Sequence, residues 1–158
     1  MNLKTDNPNS KFEFFILSYI FVYKILFKME YKELAKTAVE AQSSSIPTYS
    51  KFRVGSALLT KNGKVFTGGN IESSSYGLTI CAERVTLFKA LSEGFRDFKA
   101  IAIASDDPDF CPPCGACRQI LMDFCEDIDV ILINHKNELK IFKLNELLPY
   151  PFGDTNLK

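Results

Sequence analysis

Apolar residues recur at helical spacing through Tyr31, Leu34, Ala35, Ala38 and Val39, which predicts an amphipathic helix over 30–43, ended by Pro47. The pattern then shortens. Arg53–Thr60 and Lys64–Gly68 read as two strands around Asn62-Gly63, a pair that readily takes the positive φ of a hairpin turn. Asn70–Ile80 reads as a polar loop. Helical spacing resumes near Cys81 and runs to about Ser92, with Val85, Phe88 and Leu91 expected on the packed face and Gly94 as the stop. Phe98–Ala104 and Asp129–Asn134 are apolar enough for buried strands, and Cys114–Phe124 between them reads as a helix. Leu139–Phe142 predicts an edge strand and Asn145–Leu148 a last helical turn. The order α-β-β-α-β-α-β-β implies an α/β domain: a mixed sheet of about five strands with helices on its faces, a three-layer α-β-α sandwich.

An apolar run, Phe14–Phe27, precedes this pattern, broken by Ser18 and Lys24 and flanked by Lys11 and Lys28. It is shorter than the roughly 20 apolar residues that a spanning helix needs. Lys28-Met29-Glu30-Tyr31 after it lacks the small-residue cleavage site of a signal peptide. Three readings stay open: an interfacial anchor, an extra packing helix, or translated upstream sequence with the start at Met29. The third is favoured, because the pattern from Met29 onward makes a complete domain. The expected division is therefore 1–28 as an N-terminal apolar extension and 29–158 as a single catalytic domain. A chain of 158 residues suits one domain with a real core. Its zero formal net charge offers no overall basicity to attract nucleic acid. Five cysteines, an odd number, fit a reducing cytoplasm better than a secreted disulfide framework.

The candidate chemistry is concentrated in Cys81-Ala82-Glu83-Arg84 and Pro113-Cys114-Gly115-Ala116-Cys117-Arg118. A close cysteine pair with one distant cysteine gives zinc three protein ligands and leaves the fourth position to water, the mark of a catalytic site. Glu83, two residues from a ligand, is placed to move protons on and off that water. Both Cys81 and Cys114 stand where a loop becomes a helix, and the N-terminal N–H groups there favour thiolate. Cys114 and Cys117 fall on one helical turn. Cys81 and Glu83 would point roughly 200° apart in a regular helix, a conflict that eases if Cys81 is the N-cap and Glu83 lies in the first turn. Three thiolates on a dication leave one net negative charge, which weakens the metal as a Lewis acid. A guanidinium bonded to the sulfurs would restore it; Arg84 is the favoured donor and Arg118 competes.

In order and spacing, Tyr49-Ser50-Lys51-Phe52-Arg53-Val54-Gly55, Gly69-Asn70-Ile71-Glu72 and the two cysteine motifs resemble the small, homotetrameric cytidine deaminases over about Met29–Phe152. That resemblance implies one zinc per chain on Cys81, Cys114 and Cys117. It implies that an activated water attacks C4 of cytidine or deoxycytidine while Glu83 shuttles protons, giving the uridine product and ammonia in pyrimidine salvage. Phe52, Asn70, Glu72 and Ala82 become substrate-binding positions: Asn70 and Glu72 hold the ribose 3′-hydroxyl, and Phe52 packs on the pyrimidine. Tyr76 and Phe152 match aromatics that complete the site, partly from neighbouring subunits. The departures are the long N-terminus and Gly69, where several relatives carry cysteine.

Each assignment has a plainer rival. Cys125 reads as a small buried hydrophobe. Cys111-Pro112-Pro113-Cys114 is itself a C-x-x-C, open to redox exchange or to a fourth metal ligand. Asn70 and Glu72 could be turn residues, Phe52 and Tyr76 core aromatics, and His135 a surface residue in a turn. Two function classes remain: a nucleoside deaminase, and a non-enzymatic zinc module closed by Cys81, Cys111, Cys114 and Cys117. A polynucleotide or nucleotide deaminase is weaker, since the chain shows neither a clustered Lys/Arg stretch nor a phosphate-cradling glycine loop. A blasticidin-type deaminase shares the zinc motifs. No membrane partner is expected unless 14–27 acts as an anchor.

Overall fold

The computed structural model describes residues 30–153, 156 and 157, so the apolar run at 14–27 lies outside the described residues. The chain forms helix α1 (30–41), strands β1 (Val54–Thr60) and β2 (Val65–Gly69), helix α2 (Ala82–Ser92), strand β3 (Phe98–Ser105), helix α3 (Gly115–Cys125), strands β4 (Asp129–Ile133) and β5 (Leu139–Lys143), and helix α4 (Leu144–Leu147). The strands make one sheet in the order β2-β1-β3-β4-β5; β3 and β4 run parallel and the other neighbours antiparallel. Elements begin and end within about two residues of the expected bounds, and a 3₁₀ turn, Gln42–Ser44, closes the first helix.

The two faces of the sheet differ in depth, and strand alternation explains why. On β3, Ile101 and Ile103 face one way, with Ala100, Ala102 and Ala104 opposite. Register extends the large side through Leu58, Val130 and Leu132, which form the main core with Leu87 of α2 and Leu121 of α3. The small side continues through Ala57 and Gly55, and α1 lies against it with Ala35, Ala38 and Ala41 buried. A Cβ on Gly55 would stand 2.2 Å from the Ala38 carbonyl oxygen, whereas one on Gly68 would meet the Thr86 hydroxyl of α2 at 2.7 Å. These contacts put α1 and α2 on opposite faces, the three-layer arrangement expected.

The packed face of α2 differs from expectation. Ala82, Glu83, Thr86, Leu87 and Ala90 are buried, while Val85 and Leu91 are partly covered and Phe88 is 41% exposed. Small residues at 82, 86 and 90 let the helix settle on Gly68 and Ser56, whose hydroxyl contacts that of Thr86. Large side chains flank that seam. Val39 of α1 is likewise 41% exposed rather than packed.

Gly55→Ala should therefore destabilise the fold by about 1–3 kcal/mol, read as a Tm loss of about 2–12 °C. Gly77→Ala, with nothing within 4 Å of the added methyl, should stay within about 0.5 kcal/mol of the parent.

Candidate active site

Strand direction brings the motifs together. The N-terminal end of β1 pairs with the C-terminal ends of β2 and β3, through Gly55 with Gly69 and Val54 with Ser105. Phe52 precedes β1, Asn70 and Glu72 follow β2, and the loop to Cys114 follows β3, so all leave the sheet at one edge. Arg53 fastens that edge: its guanidinium makes two hydrogen bonds to Asp106, at 2.9 and 3.0 Å, and its main-chain N–H a third at 2.9 Å.

Cys81 and Cys114 are the N-cap residues of α2 and α3, both extended and neither with a side-chain cap. The three Sγ atoms of Cys81, Cys114 and Cys117 lie within 4.8 Å of one another, and Cys81 and Cys114 are 3.9 Å apart. Thiolates bound tetrahedrally to zinc at about 2.3 Å would be about 3.8 Å apart, so the donor set and its spacing fit that metal. A hydrogen bond from Cys117, helped by Arg84, brings the Cys81 thiol down to about 5. The contact with Cys81, with burial, pushes the Cys117 thiol up. Cys111 falls outside this thiol cluster, and burial raises its thiol. Cys125 is buried in the core with its thiol pushed up to about 12.

The extended N-cap at Cys81 removes the angular conflict with Glu83, which lies in the first turn of α2. Glu83 is 4% exposed. Burial raises its carboxyl to about 7, and the neighbouring Cys81 charge adds to the rise. Arg84 donates to the Thr79 carbonyl at 3.1 Å and to Cys81 Sγ at 3.8 Å, while its buried Nε has no hydrogen-bond partner. Arg118 is occupied elsewhere: it donates to the Pro113 carbonyl at 2.8 Å and the Leu147 carbonyl at 2.9 Å. Arg84, then, is the guanidinium beside the sulfurs.

The other expected positions form a second group. The Asn70 side chain accepts from the Val54 N–H and donates to the Phe52 carbonyl, each at 2.9 Å, leaving one donor and one acceptor site on the amide. Glu72 Oε2 accepts from the N–H groups of Tyr49 and Ser50 at 2.6 and 3.0 Å, and Oε1 from the Ser50 hydroxyl. These bonds, the Ser50 hydroxyl first, hold its carboxyl below the usual range. Phe52 is half-buried. Ala82 is fully buried, so what it offers a ligand is main chain. Tyr76 is 74% exposed and Phe152 59% exposed. Tyr76 packs against Tyr49 with ring centroids 5.7 Å apart. Gln119 of α3 donates to the Phe152 carbonyl at 2.7 Å.

Two features lacked a sequence signal. The segment read as polar loop is pinched at its base by reciprocal hydrogen bonds between Ile71 and Ile80, both 2.9 Å. That pinch carries Cys81 back beside Asn70 and Glu72. The other is the use of Tyr49 and Ser50 to fix a carboxylate 22 or 23 residues away; a Tyr-Ser pair before Lys51 signals no more than a turn.

Over residues 28–133 the sequence matches the family described as the cytidine and deoxycytidylate deaminase zinc-binding region. It is similar to a cytidine deaminase of Halalkalibacterium halodurans, 48% identical over 125 residues that span 78% of this chain and 95% of the relative. A probable cytidine deaminase of Dictyostelium discoideum is 47% identical, with 82% and 90% of the two chains covered. The crystal structure of the cytidine deaminase from Burkholderia pseudomallei aligns with a TM-score of 0.74 at 41% identity, covering 76% of this chain and 97% of that one. With the zinc-binding region matched over most of the domain and the thiol cluster in place, the chain belongs to the zinc-dependent cytidine deaminase family of hydrolases.

Proposed function

We propose that the protein converts cytidine and deoxycytidine to uridine and deoxyuridine, releasing ammonia, as a step of pyrimidine salvage. The observation that carries this reading is a buried, high-pKa Glu83 against a cluster of three cysteines. Zinc bound there supplies the Lewis acidity that makes water a nucleophile near neutral pH. Cys81, Cys114 and Cys117 would hold it, and a set of three protein donors is the kind that would leave room for that water. Glu83 takes a proton from the water, protonates ring N3 and then serves the leaving amine; a carboxyl near 7 both accepts and donates at neutral pH. Arg84, donating to Cys81, draws off part of the negative charge of the sulfurs. Asn70 and Glu72 bind the ribose, Phe52 packs on the pyrimidine and the main chain of Ala82 meets the base. The lowered, ionised Glu72 carboxylate accepts a hydroxyl and repels phosphate, which favours nucleosides over nucleotides.

Exposed Tyr49, Tyr76, Leu78, Tyr150 and Phe152 support a homotetramer in which neighbouring subunits cover these side chains and Tyr76 and Phe152 complete the sites. Five free thiols suit a cytoplasmic compartment. Among the described residues no helix is long and apolar enough to cross a membrane. Cys111, outside the thiol cluster, weighs against a closed four-thiolate module.

Three measurements test this reading. Glu83→Ala should stay folded, zinc-loaded and able to bind nucleoside, yet lose at least about 10²–10⁴-fold in kcat; ammonia release within a few-fold of the parent would refute the proton-shuttle role. Cys111→Ser should keep zinc content and activity, whereas Cys114→Ser should lose both; zinc loss in the Cys111 variant would establish four-thiolate coordination instead. A chain beginning at Met29 should match the full chain in turnover, and failure to fold would make residues 1–28 part of the domain.

A further inference from the structure

Among the ties between the loop before β1 and the loop after β2, one is a single hydroxyl that serves both. Ser50 Oγ donates to Glu72 Oε1 and accepts the Phe52 N–H at 3.0 Å. On the other carboxylate oxygen, Oε2 is held by two main-chain N–H groups. Two main-chain donors on one oxygen already resist rotation of the carboxylate about its last bond, and the hydroxyl on the second oxygen adds a third restraint. The same hydroxyl fixes where the Phe52 main chain leaves the turn. The turn is specific in shape: Lys51 sits at φ 60°, in the left-handed region, and its ammonium donates to the Thr48 carbonyl at 2.7 Å. Ser50 is exposed, so its hydrogen bonds are made at the surface where the two loops meet rather than in the core.

We propose that Ser50 is a positioning residue for substrate: its hydroxyl orients the Glu72 carboxylate toward the ribose hydroxyl and couples it to the Phe52 turn. This assignment rests on the nucleoside reading above, in which Glu72 accepts the 3′-hydroxyl and Phe52 packs on the base. A carboxylate held at both oxygens loses little freedom when it takes up the ribose hydroxyl, so the coupling acts on binding more than on the chemical step.

The test compares cytidine with 3′-deoxycytidine on the zinc-loaded parent, Ser50→Ala and Ser50→Thr. For cytidine, Ser50→Ala should raise KM about tenfold with kcat within twofold, and Ser50→Thr, which keeps the hydroxyl, should restore most of the loss. For 3′-deoxycytidine, which offers Glu72 no hydroxyl, the same Ala change should raise KM by about threefold at most, the share that acts through the Phe52 turn. Equal KM increases on both nucleosides, or an unchanged or lower KM for cytidine, would overturn the assignment while the nucleoside reading stands. A parent chain that turns over neither nucleoside would overturn the reading and the assignment together.

Discussion

Two helices in this protein begin with a cysteine where a hydrogen-bonding cap would ordinarily stand, and the site depends on their meeting. Neither Cys81 nor Cys114 caps its helix with its side chain, so free N–H groups and the positive ends of two helix dipoles converge on sulfur. That field favours thiolate, but thiolates within 4.8 Å repel one another. Arg84 supplies one positive charge nearby; a dication answers the remainder. The same crowding acts on Glu83, whose buried carboxyl shares the region with Cys81 and resists ionisation. Metal affinity and proton affinity are therefore two outcomes of one electrostatic arrangement.

Holding two helix ends in register requires a stiff platform, and the asymmetric sheet provides it. Alanine and glycine on one face let α1 approach to backbone contact, while isoleucine and leucine on the other give α2 and α3 a deeper bed. Small side chains at 82, 86 and 90 set α2 close over β1 and β2, so its first turn emerges at the edge where those strands begin and end. The metal ligands sit on helix ends, whereas Phe52, Asn70 and Glu72 sit on loops stapled to the sheet by side-chain hydrogen bonds. Both groups are held in place before any ligand arrives, the cysteines by helix ends and Phe52, Asn70 and Glu72 by loop hydrogen bonds.

Most of this was legible in the sequence, for identifiable reasons. Strands β3 and β4 are continuous apolar runs, Asn62-Gly63 announces its turn, and the cysteine spacings declare a metal site before any fold is known. The packed face of α2 was misread because Val85, Phe88 and Leu91 recur at helical spacing, whereas the fold packs Leu87 with the small residues at 82, 86 and 90, where the helix crosses glycine. The Ile71–Ile80 pinch was hidden because a two-residue ladder has no periodicity. Gly69, an apparent departure from relatives, has a local cause: a Cβ there would lie 2.5 Å from the Ser45 nitrogen.

The pinch also shapes what can change over generations. Residues 72–79 leave and return through Ile71 and Ile80, and the tip is closed by its own bonds, from Leu78 N–H to the Ser75 carbonyl and from Ser73 N–H to the Thr79 hydroxyl. Doubling the length of such a loop costs only about 0.6 kcal/mol of closure entropy. Insertions and deletions at Ser74–Gly77 can thus remodel the rim without displacing Cys81 or its helix. Variation in this loop is thereby separated from the helix that carries Cys81 and Glu83, so the surface here can change over generations while the thiol cluster stays in place.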